Sequence, residues 1–280
     1  MPNLRTIGIL PVYNEADVIE QVLRYHIEQG LQLIVVDNGS TDGSYELIKN
    51  YVGRGVISVQ RIITDRVRFQ FLLTTLSAIA AIHAPDWLVL IGADEFLETR
   101  NSAKGETLIE GLIEEEKKGY EVVQFDTFEF WPTRLDNPTE NDVRRRMKYY
   151  TWTSAWNFRA YRWSEMSRFH EHYPTPAPGR ILKISPNIFV LRHYRFRSFD
   201  HGMRKTFQER LPRFASKSEK WVHYDNCLPN EDFFVRDPNE LNRYVEDGRW
   251  IRSRKFDPMF GTYDWEKNQP DNYTPPGMRR

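Results

Sequence analysis

The chain has 280 residues, with 39 Lys and Arg against 39 Asp and Glu, so its formal net charge is zero. That balance excludes a global field drawing it to nucleic acid or to an anionic membrane, and the length suffices for one large domain or two small ones with a sizeable core. The single cysteine, Cys227, excludes an internal disulfide and fits a reducing compartment, and the opening MPNLRTIGIL lacks the long apolar run of a secretory signal.

In chain order, Thr6 to Val12 reads as a first strand, with Pro11 near its end because proline sits badly in the middle of a sheet. It opens into Tyr13-Asn14-Glu15. A helix follows with Val18, Ile19, Val22, Leu23 and Ile27 on its apolar face, and Gly30 stops it. Leu31 to Val36 is a second apolar strand. It runs into DNGSTDGS (Asp37 to Ser44), which offers turn and N-cap chemistry for a helix over Tyr45 to Tyr51. Val56 to Ile63 is a third strand, Arg68 to His83 a helix, and Trp87 to Ile91 a fourth strand. The apolar stretch from Phe71 to Ile91 is interrupted by His83, Pro85 and Asp86, so a helix and a buried strand explain it without a bilayer.

Strand and helix alternate through this first third, which predicts an α/β fold: a mostly parallel sheet with helices on its faces. Right-handed crossovers then bring the polar strand ends to one edge. Tyr13 to Glu15, Asp37 to Ser44 and Gly92 to Glu95 should therefore line one crevice. Asp94 and Glu95, just past the end of a buried strand, lie where such sheets bind ligands. Oxygen donors of that kind suit a hard cation such as Mg²⁺ or Mn²⁺, which in turn suits a diphosphate.

Past Leu97 the pattern loosens. Thr107 to Lys118 reads as an amphipathic helix, Glu121 to Trp131 as a strand, Pro132 to Val143 as a loop, and Ile181 to His193 as a strand or hairpin. Arg144 to Tyr161 alternates aromatic and basic residues. Phe199 to Phe214 reads as helical, and Asp237-Pro238 as the start of a short capped helix. The expected divisions are two halves of one domain, over 1–100 and 101–215, and a loop- and aromatic-rich extension over 216–280 that serves as a lid or an oligomer contact.

Three stretches in this order, PVYNEADVI (Pro11 to Ile19), VVDNGSTDGS (Val35 to Ser44) and WLVLIGADEF (Trp87 to Phe96), resemble the family 2 glycosyltransferases of GT-A fold. The likeness covers about the first hundred residues. It implies a nucleotide-sugar donor held by Tyr13, Asn14, Glu15 and Asp37, with Pro11, Asn38, Arg68 and Ala93 beside them. It also implies a divalent metal on the acidic motif. That motif is usually Asp-x-Asp, and here it reads Gly92-Ala93-Asp94 followed by Glu95, so the first acid is missing while the usual direct ligand, Asp94, is present. Glu95 is either a second ligand or a residue that points back to hydrogen-bond backbone.

In the second half, His193 ends an apolar strand and is the candidate for a further metal ligand, and Arg195 and Arg197 for neutralising the diphosphate. Arg204-Lys205 and Arg144-Arg145-Arg146 read as solvated faces. An inverting transfer needs a carboxylate base. Glu171, between two histidines, is favoured over Asp126 and Glu129, and strand alternation allows at most one of the latter two to face the crevice unless a bulge intervenes. Trp131, Trp152, Trp156 and Trp163 read as core more readily than as sugar platforms. The expectation is a cytoplasmic enzyme, free or peripheral to the inner face of the membrane, without a transmembrane segment. It would use Mn²⁺ or Mg²⁺ and a UDP- or GDP-sugar to glycosylate a glycan, a lipid-linked glycan or a small molecule, with a homo-oligomer allowed. The rival is a nucleotide-sugar-binding or scaffolding protein without turnover. A nucleotidyltransferase would need a Gly-rich basic loop that Pro11 to Asp17 does not offer.

Overall fold

The computed structural model describes residues 4–64, 69–163, 166–170, 173–176, 181–213, 224, 227–252 and 278–279. Strand β1 (Thr6–Val12) leads to helix α1 (Ile19–Glu28), β2 (Gln32–Asp37), α2 (Ser44–Lys49), β3 (Val56–Arg61), α3 (Phe69–Ile82) and β4 (Trp87–Leu90). Next come β5 (Glu95–Glu98), α4 (Leu108–Lys117), β6 (Val122–Phe130), the single turn α5 (Val143–Arg146), and the long β7 (Tyr149–Arg162). A hairpin of β8 (Met166–His170) and β9 (Tyr173–Pro176) precedes β10 (Leu182–His193) and α6 (Phe199–Met203). A π-helical turn, Arg204–Arg210, continues α6, and α7 (Glu231–Phe234), β11 (Asn242–Arg243) and β12 (Met278–Arg279) follow.

Among the described residues the main sheet has ten strands, with the order β12-β10-β6-β7-β4-β1-β2-β3 and with β5 and β11 paired off that path. β4, β1, β2 and β3 run parallel. β7 is antiparallel to both β4 and β6, so the sheet is mixed at its centre. The α/β class with helices on both faces holds, and one sheet carries strands from both halves of the chain.

Local chemistry accounts for these elements. β1 is sandwiched between β2 and β4, yet Pro11 is tolerated because β4 pairs only as far as Ile9. Gly30, at φ 92°, ends α1 in a left-handed conformation that costs glycine little. Thr107 and Glu110 form a reciprocal capping box at the start of α4. One cluster buries Val22, Leu23, Val35, Trp87, Phe96, Leu112 and Phe128 under α1 and α4, and a second packs Ile9, Ile34, Leu88 and Tyr161 against Leu76 and Ala80 of α3. Trp131 and Trp152 are core residues, whereas Trp163 is half-buried beside the α3 cluster and the Trp156 side chain lies outside the described residues. No helix among the described residues is long and apolar enough to cross a membrane.

β5 is one of the elements that sequence reading missed. Its four residues pair antiparallel with β10, setting His193 opposite Glu95, and β10 also pairs with β6, setting His193 beside Glu129. The Tyr194 amide then donates to the Asp94 carbonyl at 2.9 Å. These registers bring Asp94, His193 and Glu129 together.

Candidate functional site

The strand ends of β1, β2, β4, β6 and β10 meet as expected. In the first loop Asn14 is held at φ 52°, its backbone N–H donating to Ser40 Oγ at 3.0 Å and its Oδ1 accepting the Thr41 amide at 2.8 Å. The Glu15 amide donates to Ser44 Oγ at 2.8 Å. The first two motifs are thus knitted together by short side chains, for which the second motif supplies Ser40, Thr41 and Ser44. Asp37 is fully buried and accepts from the amides of Gly39 (3.1 Å) and Ser40 (3.2 Å), with Arg61 at 3.4 Å. It shapes the turn from below. Asp42 also works on the turn, accepting the Ala16 amide at 2.9 Å and the Ser44 amide at 3.0 Å. Asn38 is buried, its Nδ2 donating to the Ile62 carbonyl at 2.8 Å and its Oδ1 accepting from Arg213 at 2.6 Å. Tyr13 lies half-buried at the mouth, with the Arg213 guanidinium 3.8 Å from its ring centroid. Pro11 and Ala93 line the strand ends, and Arg68 lies outside the described residues.

Asp94 is the centre of the charge network. Its Oδ2 accepts from Lys205 Nζ at 2.7 Å, and its Oδ1 lies 3.4 Å from His193 Nε2. Burial works against the carboxylate, but Lys205 and then His193 override it and hold Asp94 well below the ordinary range. His193 Nδ1 is 2.9 Å from Glu129 Oε2, which also accepts from Arg195 at 3.1 Å. Burial opposes charging the imidazole, yet Glu129 and Asp94 raise it to about 9. A cation in place of the Nε2 proton would leave the same Glu129 contact on Nδ1, the arrangement that orients metal-bound histidines. Asp94 and His193 therefore form a donor pair suited to a divalent ion.

Glu95 does not join them. Its Oε2 accepts the Gly92 amide at 2.6 Å and its Oε1 accepts from Arg159 at 2.7 Å. Both oxygens are engaged on the protein's own groups, so of the two expectations for Glu95 the backbone-bonding one describes it and the second-ligand one does not. Asp126 is likewise removed from the Asp94 group. Fully buried, it is held by Arg100, by Arg252 Nη2 at 2.7 Å, and by the Trp152 indole at 3.2 Å. Glu129, rather than Asp126, lies against His193 and Arg195 at the crevice. Glu171 lies outside the described residues.

Arg197 reaches the crevice, but its donors are already engaged: Glu15 at 2.6 Å, Asp17 at 2.7 Å, the Tyr194 carbonyl at 3.0 Å and His201 Nε2 at 2.6 Å. Glu15, Asp17 and His201 present ligand atoms within 4.8 Å of one another, a spacing that would suit a metal. The cation they enclose is the Arg197 guanidinium. Burial and then Arg197 push the His201 imidazole well below its usual value, which keeps it a neutral acceptor.

Lys205 is the residue the sequence reading missed. It is not on a solvated face: it is 2% exposed and bridges Asp94 and Glu15, each at 2.7 Å. Burial disfavours its charge, but Asp94 and Glu15 raise its pKa. The signal was a charged stripe, Lys205, Glu209, Arg210 and Arg213, at helical spacing opposite Met203, Phe207 and Leu211, which pack on an aromatic cluster around Phe234. Arg144, another expected surface cation, stacks 4.6 Å from the centroid of Tyr25 and 5.1 Å from that of Phe96.

No curated protein matches the chain. Among solved structures it is similar to Staphylococcus aureus TarS at 12% identity over 83% of this chain and 44% of that one, with a TM-score of 0.41. TarS 1–349 in complex with UDP-GlcNAc gives 12% identity over 57% of this chain and 46% of that one, with a TM-score of 0.35. The chain thus spans less than half the length of these structures. The sequence family described as glycosyl transferase family 2 matches residues 9–102. That segment, which carries Tyr13, Asn14, Glu15, Asp37 and Asp94, is similar to the family 2 glycosyltransferases over about the first hundred residues.

Proposed function

We propose that this protein transfers a sugar, with inversion, from a UDP- or GDP-sugar to a hydroxyl of a glycan, lipid-linked glycan or small-molecule acceptor, with a divalent cation in the site. The observation that carries the reading is the meeting of Tyr13, Asn14 and Glu15, of Asp37 and Asn38, and of Asp94 with His193 at one sheet edge. Asp94 and His193 would hold Mn²⁺ or Mg²⁺, which supplies charge neutralisation for a departing diphosphate when bound. Glu129 orients His193 through Nδ1 and keeps its other nitrogen aimed at Asp94. Asn14 and the loop that Asp37 shapes fix the walls against which a nucleoside is held. Arg195, paired to Glu129, keeps positive charge beside the leaving group. Glu171 remains the proposed base, on sequence grounds.

Incubation with UDP-, GDP- and dTDP-sugars and Mn²⁺ tests this: slow donor hydrolysis or transfer is expected, falling by about 10²-fold or more in Asp94→Asn, a loss typical of removing one electrostatic stabiliser. Neither binding nor hydrolysis across the panel would sink the enzyme reading. The rival, a nucleotide-sugar binder without turnover, is favoured by the missing acid at Gly92 and by Lys205 on Asp94. A binder shows donor-dependent stabilisation and no turnover.

A further inference from the structure

Residues 204–213 engage all three donor motifs at once. Lys205 Nζ sits 2.7 Å from both Asp94 and Glu15. Glu209 accepts from Asn14 Nδ2 at 3.0 Å. Arg210 reaches the Tyr13 carbonyl at 3.5 Å and Glu15 at 3.4 Å. Arg213 lies over the Tyr13 ring at 3.8 Å while donating to Asn38 Oδ1 at 2.6 Å and the Thr64 carbonyl at 3.0 Å. The segment begins as a seven-residue π-helical turn. Such turns are a rare backbone form that is frequent at functional sites.

We propose that this segment is a cationic latch, in which the Lys205 ammonium holds the cation position at Asp94 so that a divalent metal and Lys205 compete for the crevice. The inference rests on the reading of Asp94 as the metal's carboxylate. A divalent cation on Asp94 would meet the ammonium as a like charge in a buried site, where screening is weak. Lys205 also satisfies Glu15, so the closed latch bridges two buried carboxylates and adds to the compensation that Arg197 gives Glu15 and His193 gives Asp94. When a metal arrives it takes over that neutralisation at Asp94, and Lys205 is released with its segment. At the other end Arg213 covers the face of Tyr13 against which a base would stack, so opening uncovers both ends of the donor site together. The latch couples metal entry to nucleotide entry.

The test is a Mn²⁺ titration of the full chain, read by the electron paramagnetic resonance of free Mn²⁺. Lys205→Met should bind Mn²⁺ at least tenfold more tightly than the wild type, Lys205→Arg should match the wild type, and Asp94→Asn should abolish binding. Mn²⁺ should also raise the melting temperature of Lys205→Met more than that of the wild type. Because Lys205→Met removes a buried counter-charge and can compromise folding, Arg213→Ala provides an independent arm. It loosens the latch from its far end without touching Asp94, and should tighten Mn²⁺ severalfold. Equal or weaker Mn²⁺ binding in Lys205→Met and Arg213→Ala than in the wild type overturns the latch and leaves the metal reading standing. Absence of Mn²⁺ binding in every variant overturns the metal reading and the latch together.

Discussion

The carboxylate of Glu95 is folded onto the backbone of Gly92, accepting its amide at 2.6 Å, and a Cβ built at position 92 would lie 2.6 Å from the Glu95 carboxyl carbon. The absent acid and the turned-away acid are therefore one arrangement. Gly92→Asp should not simply restore the missing ligand. It should displace Glu95, break its bond to the amide and cost about 1–3 kcal/mol, as overpacking does. Urea denaturation of Gly92→Asp and Gly92→Ala checks this: both should fall, and an unchanged midpoint in Gly92→Ala would contradict the packing argument.

His26 makes folding sensitive to acid. Its Nδ1 is 2.9 Å from the Val22 carbonyl and its Nε2 accepts the Leu97 amide at 3.3 Å, so the ring is buried as a neutral tautomer. Burial lowers its pKa from 6.5 to about 4. The unfolded state then binds the proton more readily, so this contribution to stability is intact at pH 7 and is lost as pH falls from 6.5 to 4, amounting to about 3 kcal/mol. Stability measured at several pH values for wild type and His26→Asn should converge toward pH 4. A difference that stays constant across that window would refute the assignment.

Arg192 and Glu98 form a buried bidentate pair at 2.8 to 3.0 Å, with the Tyr244 hydroxyl 2.8 Å from Arg192 and the Tyr25 hydroxyl donating to Glu98 at 3.2 Å. Removing one partner leaves a buried charge alone, so Glu98→Gln should cost roughly 3–5 kcal/mol. The double variant Arg192→Met/Glu98→Leu should be more stable than Glu98→Gln. Denaturation midpoints of the three proteins decide it, and a double variant less stable than the single one would count against the pair being the cause.

Asp126 serves as a counter-charge. With Asn at 126, Arg100 and Arg252 would share a site without a carboxylate, although burial and then Arg252 already lower the Arg100 pKa to about 10. Asp126→Asn should lose about 1–3 kcal/mol of stability, the usual penalty for an unsatisfied buried partner, while the folded variant keeps the rate of the proposed transfer. A thousandfold loss of turnover in folded Asp126→Asn would return this residue to the list of bases.

Where the chain repeats simple patterns, the sequence was enough. Continuous apolar runs ending in polar turns located β1 to β4, and the spacing of Leu108, Ile109, Leu112 and Ile113 located α4, because each depends on contacts within a few residues. Glu129 was separable from Asp126 only as an alternative, since alternation states that two residues face apart but not which face meets the crevice. The place of Lys205 was beyond reach. It depends on β10 delivering α6 back across the first hundred residues, a contact over 111 residues of sequence. Glu95 shows the same limit at short range, where a side chain chose an amide three residues away over the solvent.

The pairing of β10 with β5, and the Tyr194 amide on the Asp94 carbonyl, bear on how this protein is divided for engineering. A graft ending near residue 102 would carry every recognisable donor motif into a chimera. It would leave behind the strand that seats His193 and the lysine that balances Asp94, stranding Glu15 and Asp94 as bare buried acids. The smallest transplantable unit for donor binding therefore runs from β1 to Arg213, twice the length over which the family likeness is written.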